Sequence, residues 1–405
     1  MRNKIWETKK FDDFHGYLYA VNNGKMDVEG FIDSSYGEEL AKRLSIRFLI
    51  EDDIQKAEEY YDSIGLIRKL FSWDNYYERY SLLIPKDAYK RNEKMPLVFW
   101  LHGLGNSLEA EENMTGFTDI ANKEGFMLCS PQNTNPEKIL EIIEEIASLY
   151  NLDRSRIYLA GFSHGASQIH GLYFRHPNVF AGVLTSGDEV YCPWDSFDTD
   201  YTEEELIRCK NLKMPIFLIS GQCEPFPFAP MNEFHPKERL PRREWGRPDT
   251  SYQPDKDMQK DPTRLRKKFV DASGNVTTKI IMARDYSPSD GEDSSIWNLS
   301  CLNKRLDLLN LKARDIDKCL SFKSLHEDDI HRILGFYGDY EKIEYHYGYR
   351  HYVIGINDEN NHQLFKFAVV SNSPHWPQLA IGEMGWDFLR HFSRDLYSGE
   401  LIYEE

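Results

Sequence analysis

A serine between two glycines is the residue of this 405-residue chain best placed to act as a nucleophile. Ser163 is the centre of the pentapeptide G-F-S-H-G (residues 161–165), with the apolar residues 157–160 before it and a helix-like pattern after it that ends at Pro177. A sharp turn from a strand into a helix crowds the backbone, and glycines on both sides of the serine relieve that crowding. Such a turn would expose the hydroxyl and present the backbone N–H of His164 to an oxyanion.

A serine hydroxyl needs a base to take its proton and an acid to orient that base. In folds with a strand–turn–helix nucleophile the order along the chain is serine, acid and histidine, each after a strand. Glu224 follows the apolar residues 216–219, and His375 follows the strand-like residues 365–370. The sequence therefore predicts a catalytic triad of Ser163, Glu224 and His375.

Both partners of the serine have rivals. Asp188 and Glu189 also follow a strand-like run and could orient the histidine in place of Glu224. The histidines that compete with His375 are His346, His351 and His362. They lie in a predicted hairpin rather than after the last strand, so the chain-order rule favours His375, and it favours Glu224 as the acid that follows the next strand.

A glycine-containing loop supplies the remaining part of a candidate site. The tetrapeptide H-G-L-G (residues 102–105) follows another apolar strand-like run. We predict that the backbone N–H groups of Leu104 and His164 form an oxyanion hole, with Gly105 as the alternative to Leu104. Each such donor contributes about 3 kcal/mol of transition-state stabilisation. His102 is predicted to be a structural residue of the loop rather than a base.

Alternating strand-like and helix-like segments fill residues 71–225 and predict a mostly parallel sheet with helices on both faces. Residues 226–345 are rich in Pro, Arg, Asp and Ser and are too long for an ordinary loop, so we predict an inserted lid or subdomain. The core resumes over residues 346–405 with a hairpin, a last strand and a closing helix over residues 382–396. Residues 1–70 are interpreted as an N-terminal extension without a clear motif.

These segments resemble α/β-hydrolases of the polyhydroxybutyrate depolymerase and feruloyl or acetylxylan esterase group. The run D-x-S-R-I-Y-x-x-G-x-S-x-G (residues 153–165) and the H-W-P of residues 375–377 carry the resemblance, which covers roughly residues 75–225 and 345–405. It implies an α/β-hydrolase fold and a serine-dependent carboxylic ester hydrolase that acts through an acyl-enzyme. It also implies feruloyl, acetyl or similar esters of plant-derived carbohydrate, or other small esters, as substrates. The family usually has Asp where this chain has Glu224.

Two other functions fit part of the pattern. A serine peptidase or amidase of the prolyl oligopeptidase type would use the same triad, but this sequence lacks the repeats of the propeller that such enzymes usually carry. A catalytically silent hydrolase-fold binding protein would not need Ser163, His375 and the oxyanion loop, and all three are present. The combination therefore favours an esterase.

Composition and charge exclude several other classes of function. The formal net charge of −17 would repel nucleic acid, and no apolar run approaches the roughly 18 residues of a membrane span. The N-terminus has no apolar segment of the kind found in a signal peptide, so we expect a cytoplasmic protein. The partner expected for such a protein is a small-molecule or oligosaccharide ester substrate.

No cofactor or metal is expected from the sequence. The six cysteines show no C-x-x-C spacing, and neither a P-loop nor G-x-G-x-x-G occurs. The segment H-E-D-D-I-H (residues 326–331) resembles a zinc signature, but histidines at i and i+5 do not share a helix face as those at i and i+4 do. The predicted chemistry is therefore that of the triad alone.

Overall fold

The computed structural model describes residues 27–103, 105–187, 202–221, 264–270, 276–282, 302–314 and 330–404. In chain order the strands are β1 (Leu66–Phe71), β2 (Tyr80–Pro85), β3 (Met95–Leu101), β4 (Met127–Pro131), β5 (Leu152–Phe162), β6 (Gly182–Ser186), β7 (Ile216–Gly221), β8 (Arg264–Val270), β9 (Val276–Met282), β10 (Tyr340–His346), β11 (Tyr349–Asn357), β12 (Gln363–Val370), β13 (Phe392–Arg394) and β14 (Leu401–Tyr403). The helices are α1 (Val28–Ile32), α2 (Ser35–Asp52), α3 (Ile54–Ser63), α4 (Lys86–Arg91), α5 (Leu108–Glu111), α6 (Phe117–Glu124), α7 (Pro136–Leu149), α8 (His164–Arg175), α9 (Glu203–Leu212), α10 (Leu302–Leu308), α11 (Ile330–Leu334) and α12 (Ile381–Leu389).

Ten of these strands form one sheet in the order β1-β2-β4-β3-β5-β6-β7-β12-β11-β10. The six central strands, from β4 to β12 in that order, are parallel to their neighbours, whereas β2 is antiparallel to both β1 and β4. At the other edge β12, β11 and β10 form antiparallel pairs. This arrangement is the α/β-hydrolase fold, and the prediction of the fold class is confirmed.

Helices cover both faces of the sheet. A Cβ on Gly161 of β5 would lie 3.1 Å from the side chain of Ile169 on α8, whereas Tyr158 of the same strand packs its ring 6.0 Å from that of Trp386 on α12. Residues three apart on a strand point to opposite faces, so α8 and α12 lie on opposite sides. Strands buried on both faces need apolar residues throughout, which is why β3, β4 and β7 are buried along their whole length.

Both outer edges of the sheet extend beyond the predicted limits of the core. The first strand, β1, begins inside the predicted N-terminal extension (residues 1–70) and pairs with β2. At the opposite edge β10 begins inside the predicted insertion (residues 226–345). Part of that insertion lies outside the described residues, and its role as a lid stays a prediction. Within the described part of the chain, no helix is both long and apolar enough to cross a membrane.

The predicted closing helix over residues 382–396 is wrong after Leu389, in nearly half of its length. The helix α12 ends at Leu389, and the chain continues as the short strand β13 paired with β14. Phe392 packs its ring 5.3 Å from that of Phe388 and 5.6 Å from that of Tyr403. These ring contacts place Phe392 in the core as a strand residue, and tertiary packing of this kind overrides a local helical pattern.

Candidate active site

Ser163 is the turn residue between β5 and α8. Its backbone has φ 52° and ψ −113°, a left-handed conformation that side-chain-bearing residues rarely adopt. The N–H of Ser163 donates to the carbonyl of Ser186 (2.9 Å), and its carbonyl accepts from the N–H of Ser167 (3.0 Å). The strained turn is therefore fixed to β6 on one side and to α8 on the other.

The two glycines of the pentapeptide let the end of β3 lie directly against this turn. A Cβ on Gly165 would overlap the carbonyl of Leu101 and lie 2.7 Å from the carbonyl oxygen of His102. A Cβ on Gly161 would lie 2.9 Å from the same Leu101 oxygen. The absence of side chains at these two positions thus brings the loop after β3 next to the serine.

His375 lies in the segment between β12 and α12, and its Nε2 is 3.0 Å from Oγ of Ser163. The residue is 1% exposed, and its ring packs against that of Phe162 with the centroids 4.6 Å apart. Phe162 is confined in turn, since a Cβ on Gly103 or Gly187 would lie 2.8 Å or 2.7 Å from its ring. The imidazole is therefore held at hydrogen-bond distance from the hydroxyl by a closely packed aromatic neighbour.

The candidates for the triad acid lie outside the described residues: Glu224, Asp188 and Glu189. Their role stays a prediction, but the strands that lead to them end beside His375. A Cβ on Gly221, the last residue of β7, would overlap the carbonyl of Ser373. A Cβ on Gly187, the residue after β6, would lie 3.1 Å from Nδ1 of His375. Both the loop that carries Glu224 and the loop that carries its rivals thus start close to the histidine.

A buried carboxylate, which no pattern in the sequence predicted, holds the loop after β3. Oε1 of Glu111 accepts the backbone N–H of Gly103 (2.9 Å) and a hydrogen bond from the side-chain amide of Asn106, while Oε2 accepts from Nε1 of Trp100 (3.0 Å). Burial raises the pKa of Glu111, although these hydrogen bonds act in the opposite direction. These bonds fix Gly103 and Asn106, which flank the predicted oxyanion donor Leu104; Leu104 itself lies outside the described residues.

The ring of His102 bridges two backbone segments of this loop region. Its Nδ1 lies 2.9 Å from the carbonyl of Gly103, and its Nε2 lies 3.0 Å from the carbonyl of Gln132. A neutral imidazole can donate to only one of the two. This position agrees with the prediction that His102 is a structural residue of the loop.

The second predicted oxyanion donor is the first residue of a helix. His164 begins α8, directly after Ser163. The first N–H groups of an α-helix have no partner within the helix and point away from its end. They also carry the positive end of the helix dipole, which favours a negative charge near the helix N-terminus. The backbone thus provides a setting suited to an oxyanion beside Ser163.

The three rival histidines have partners along the edge of the sheet. These pairs are His346 with Glu344 (3.0 Å), His351 with the carbonyl of Tyr349 (3.0 Å) and His362 with Asp358 (3.5 Å). Within the described part of the chain, the histidine that bonds with Ser163 is His375. The described residues also contain no group of three or more His, Cys, Asp or Glu side chains that could hold a metal ion.

Comparisons with known proteins find esterases. No protein-family model matches the chain. Over 120 residues, 25% of this chain, it is 28% identical to a candidate esterase, NocK, of Nocardia uniformis subsp. tsuyamanensis. Over 109 residues, 24% of this chain, it is 28% identical to the bifunctional acetylxylan esterase/xylanase XynS20E of Neocallimastix patriciarum. The matches span 35% and 16% of the lengths of these two relatives.

A solved structure of an S-formylglutathione hydrolase from Agrobacterium tumefaciens is also similar, with a TM-score of 0.32 and 14% identity over 39% of this chain and 76% of that one. The sheet gives the chain the fold of an α/β-hydrolase. About a quarter of its sequence is similar to proteins named as esterases.

Proposed function

We propose that the protein is a serine-dependent carboxylic ester hydrolase that acts through an acyl-enzyme. The observation that carries the proposal is the 3.0 Å distance between Oγ of Ser163 and Nε2 of His375, on a strained turn between a strand and a helix. A serine hydroxyl becomes nucleophilic when a neighbouring imidazole accepts its proton. The similarity to esterases and the α/β-hydrolase fold support the same class of reaction.

In the first half-reaction Nε2 of His375 takes the proton of Ser163 while Oγ attacks the ester carbonyl carbon. The carbonyl oxygen becomes an oxyanion, which the backbone N–H groups of Leu104 and His164 would bind. Glu224 would stabilise the imidazolium and keep its ring in place. The imidazolium then gives its proton to the leaving alcohol, and the acyl group remains bound to the serine oxygen.

In the second half-reaction His375 acts on water instead of on the serine. The imidazole takes a proton from the water as the water oxygen attacks the acyl carbon. The bond between the carbon and Oγ of Ser163 then breaks, the serine regains its proton from the imidazolium, and the carboxylic acid leaves. The cycle therefore needs one ester and one water, and it restores the resting state of both side chains.

Feruloyl, acetyl or similar esters of plant-derived carbohydrate are the proposed substrates. The resemblance to feruloyl and acetylxylan esterases and the similarity to the acetylxylan esterase/xylanase support this class. The predicted insertion over residues 226–345 would then cover the pocket and select the acyl group. The rate of hydrolysis of a small activated ester would then depend less on the insertion than the rate with a natural substrate does.

Hydrolysis of three esters tests the proposal, with p-nitrophenyl acetate, p-nitrophenyl butyrate and methyl ferulate as substrates. We expect the wild-type protein to hydrolyse at least one of them and the Ser163→Ala variant to hydrolyse none above the solvent rate. Ser148→Ala is the matched control, because this serine lies on the exposed side of α7 and donates to the carbonyl of Glu145. Activity in Ser163→Ala would contradict the proposed nucleophile, and cleavage of amide substrates alone would favour a peptidase.

A further inference from the structure

The segment that carries His375 is neither helix nor strand, and one side chain holds its shape. Nε2 of Gln378 donates to the carbonyls of Trp376 (2.9 Å) and Pro374 (3.4 Å), the residues on either side of the histidine. Oε1 of Gln378 accepts from Oγ of Ser373 (2.8 Å). The amide group of one glutamine thus spans the backbone around the proposed base.

Tyr36 completes the hydrogen bonding of that amide from a distant part of the chain. Its hydroxyl donates to Oε1 of Gln378 (3.0 Å) and accepts from the backbone N–H of Leu379 (3.1 Å). A glutamine side chain has two donor hydrogens and two acceptor positions, and all four are used here. Tyr36 is 1% exposed and Gln378 is fully buried, so water does not replace these bonds.

The N-terminal helices hold Tyr36 and the start of the same segment. The ring of Tyr36 packs against those of Phe31 (5.3 Å) and Tyr349 (4.9 Å). The N–H of Asp27 donates to Oδ1 of Asn372 (3.0 Å), and Nδ2 of Asn372 donates back to the carbonyl of Asp27 (3.3 Å). The helices α1 and α2 therefore contact the His375 segment at both of its ends.

We propose that Tyr36 and Gln378 are positioning residues for His375, so that the helices α1 and α2 belong to the catalytic apparatus. This inference rests on the proposed function, in which Nε2 of His375 must lie within hydrogen-bond reach of Oγ of Ser163. Without the two side chains the segment loses the bonds that define its backbone, and the imidazole moves relative to the serine. A misplacement of about 1 Å in reacting groups costs about 10²-fold in rate.

The first test compares two tyrosine-to-phenylalanine variants. Tyr36→Phe removes the hydroxyl that bonds Gln378. Tyr158→Phe is the matched control, because its buried hydroxyl donates to the carbonyl of Phe392 (2.6 Å), on the part of the chain that follows α12. We expect Tyr36→Phe to lower kcat for p-nitrophenyl acetate by about 10²-fold with KM unchanged, whereas Tyr158→Phe lowers the unfolding midpoint alone.

Covalent labelling of Ser163 by a fluorophosphonate gives a second readout, and it requires no ester substrate. We expect the labelling rate of Tyr36→Phe to fall about as far as its kcat, because both depend on proton transfer to His375. Labelling of Ser163 in a wild-type protein that hydrolyses no ester would count against the proposed function and still test the positioning of His375.

A second variant keeps the inference testable where Tyr36→Phe does not fold. Gln378→Met has a similar volume and no charge, but it removes every hydrogen bond of the amide. We expect a folded Gln378→Met protein to be labelled as slowly as Tyr36→Phe. Wild-type labelling rates in the folded variants, or an equal fall in Tyr158→Phe, would overturn the proposal.

Discussion

The carboxylate of Glu111 accepts the backbone N–H of Gly103 at 2.9 Å, eight residues before it in the chain, and so closes the loop that follows β3. The same carboxylate binds the side chains of Asn106 and Trp100. Because Gly103 donates to Glu111, its N–H is not available to a substrate. The backbone N–H of Leu104, or of Gly105 as its alternative, therefore stays the predicted donor of this loop to an oxyanion.

Replacement of Glu111 by glutamine is expected to lower kcat, although the two side chains have nearly the same size and shape. In Glu111→Gln one of the three donors around the carboxylate would face an amide NH₂, which cannot accept a hydrogen bond. A loop that shifts in response loses an oxyanion donor, which costs about 10²-fold in kcat. The measurement is kcat for p-nitrophenyl acetate in folded protein.

Glu109→Gln is the matched control for this prediction. Glu109 lies on the same helix, α5, but bonds Arg79 (2.7 Å) rather than the loop. We expect the control to keep the wild-type kcat. Equal values of kcat in the two variants would show that Glu111 does not position the loop.

The two glycines of the nucleophile turn are expected to differ in their sensitivity to alanine. A Cβ at residue 165 would overlap the carbonyl of Leu101, whereas a Cβ at residue 161 would lie 2.9 Å from it. Gly165→Ala should therefore displace β3 or the turn and abolish labelling of Ser163 by a fluorophosphonate, while Gly161→Ala should reduce the labelling rate in part. The reverse order of the two rates would contradict the packing described for this turn.

The predicted acid can be identified by comparing two amide substitutions. Glu224→Gln is expected to lower kcat by at least about 10²-fold, because an amide cannot stabilise the imidazolium of His375. Asp188→Asn is expected to leave kcat close to that of the wild type. Steady-state hydrolysis of p-nitrophenyl acetate measures both values. A large loss in Asp188→Asn with a small loss in Glu224→Gln would reverse the assignment.

A buried histidine at the sheet edge is expected to make stability depend on pH. Burial lowers the pKa of His351 to about 4, and the nearby His346 ring acts in the same direction. Glu344 lies opposite on β10 and favours the charged form, while the buried Lys366 disfavours it. Nδ1 of His351 contacts the carbonyl of Tyr349, and in the described part of the chain its buried Nε2 has no hydrogen-bond partner.

The sign of the effect follows from the lowered pKa. The unfolded chain binds a proton on this histidine below about pH 6.5, whereas the folded protein does so only below about pH 4. The contribution of neutral His351 to the free energy of unfolding is therefore complete above pH 6.5. It falls by about 1.4 kcal/mol per pH unit as the pH decreases from there toward 4.

Urea unfolding at about pH 7.5 and about pH 5 measures this contribution. Between these two pH values, we expect the free energy of unfolding of His351→Gln to fall by about 2 kcal/mol less than that of the wild type, because glutamine does not titrate. Identical pH dependence in the two proteins would show that His351 is not the responsible group. The carboxyl of Glu344 contributes little in this range. Burial alone would raise its pKa, but the hydrogen bonds from His346 and Lys342, together with the charges of Lys366 and Lys342, lower it to about 2.

The features that the sequence predicted are those encoded in adjacent residues. The apolar runs of β3, β5 and β7 mark strands that are buried on both faces, and Gly161 and Gly165 mark a turn with no room for side chains. The order of Ser163 and His375 along the chain was sufficient to pair them, because parallel strands place their carboxyl ends at one edge of the sheet.

Features that depend on contacts between distant residues could not be predicted from the sequence. Tyr36 and Gln378 are 342 residues apart, and neither lies in a pattern that suggests the other. The strand β1 contains Arg68, which breaks its apolar run, and the side chain is buried only because it forms two hydrogen bonds with Glu112 (2.8 and 3.0 Å). A charged residue suggests an exposed position until its partner is known, so these residues carry no sequence pattern that indicates a buried strand.

Peptide mapping by mass spectrometry after treatment with a fluorophosphonate tests the central claim most directly. We expect a single covalent adduct on Ser163, absent in Ser163→Ala and formed much more slowly in His375→Ala. An adduct on another residue, or wild-type labelling in His375→Ala, would contradict the pairing of the two side chains as nucleophile and base.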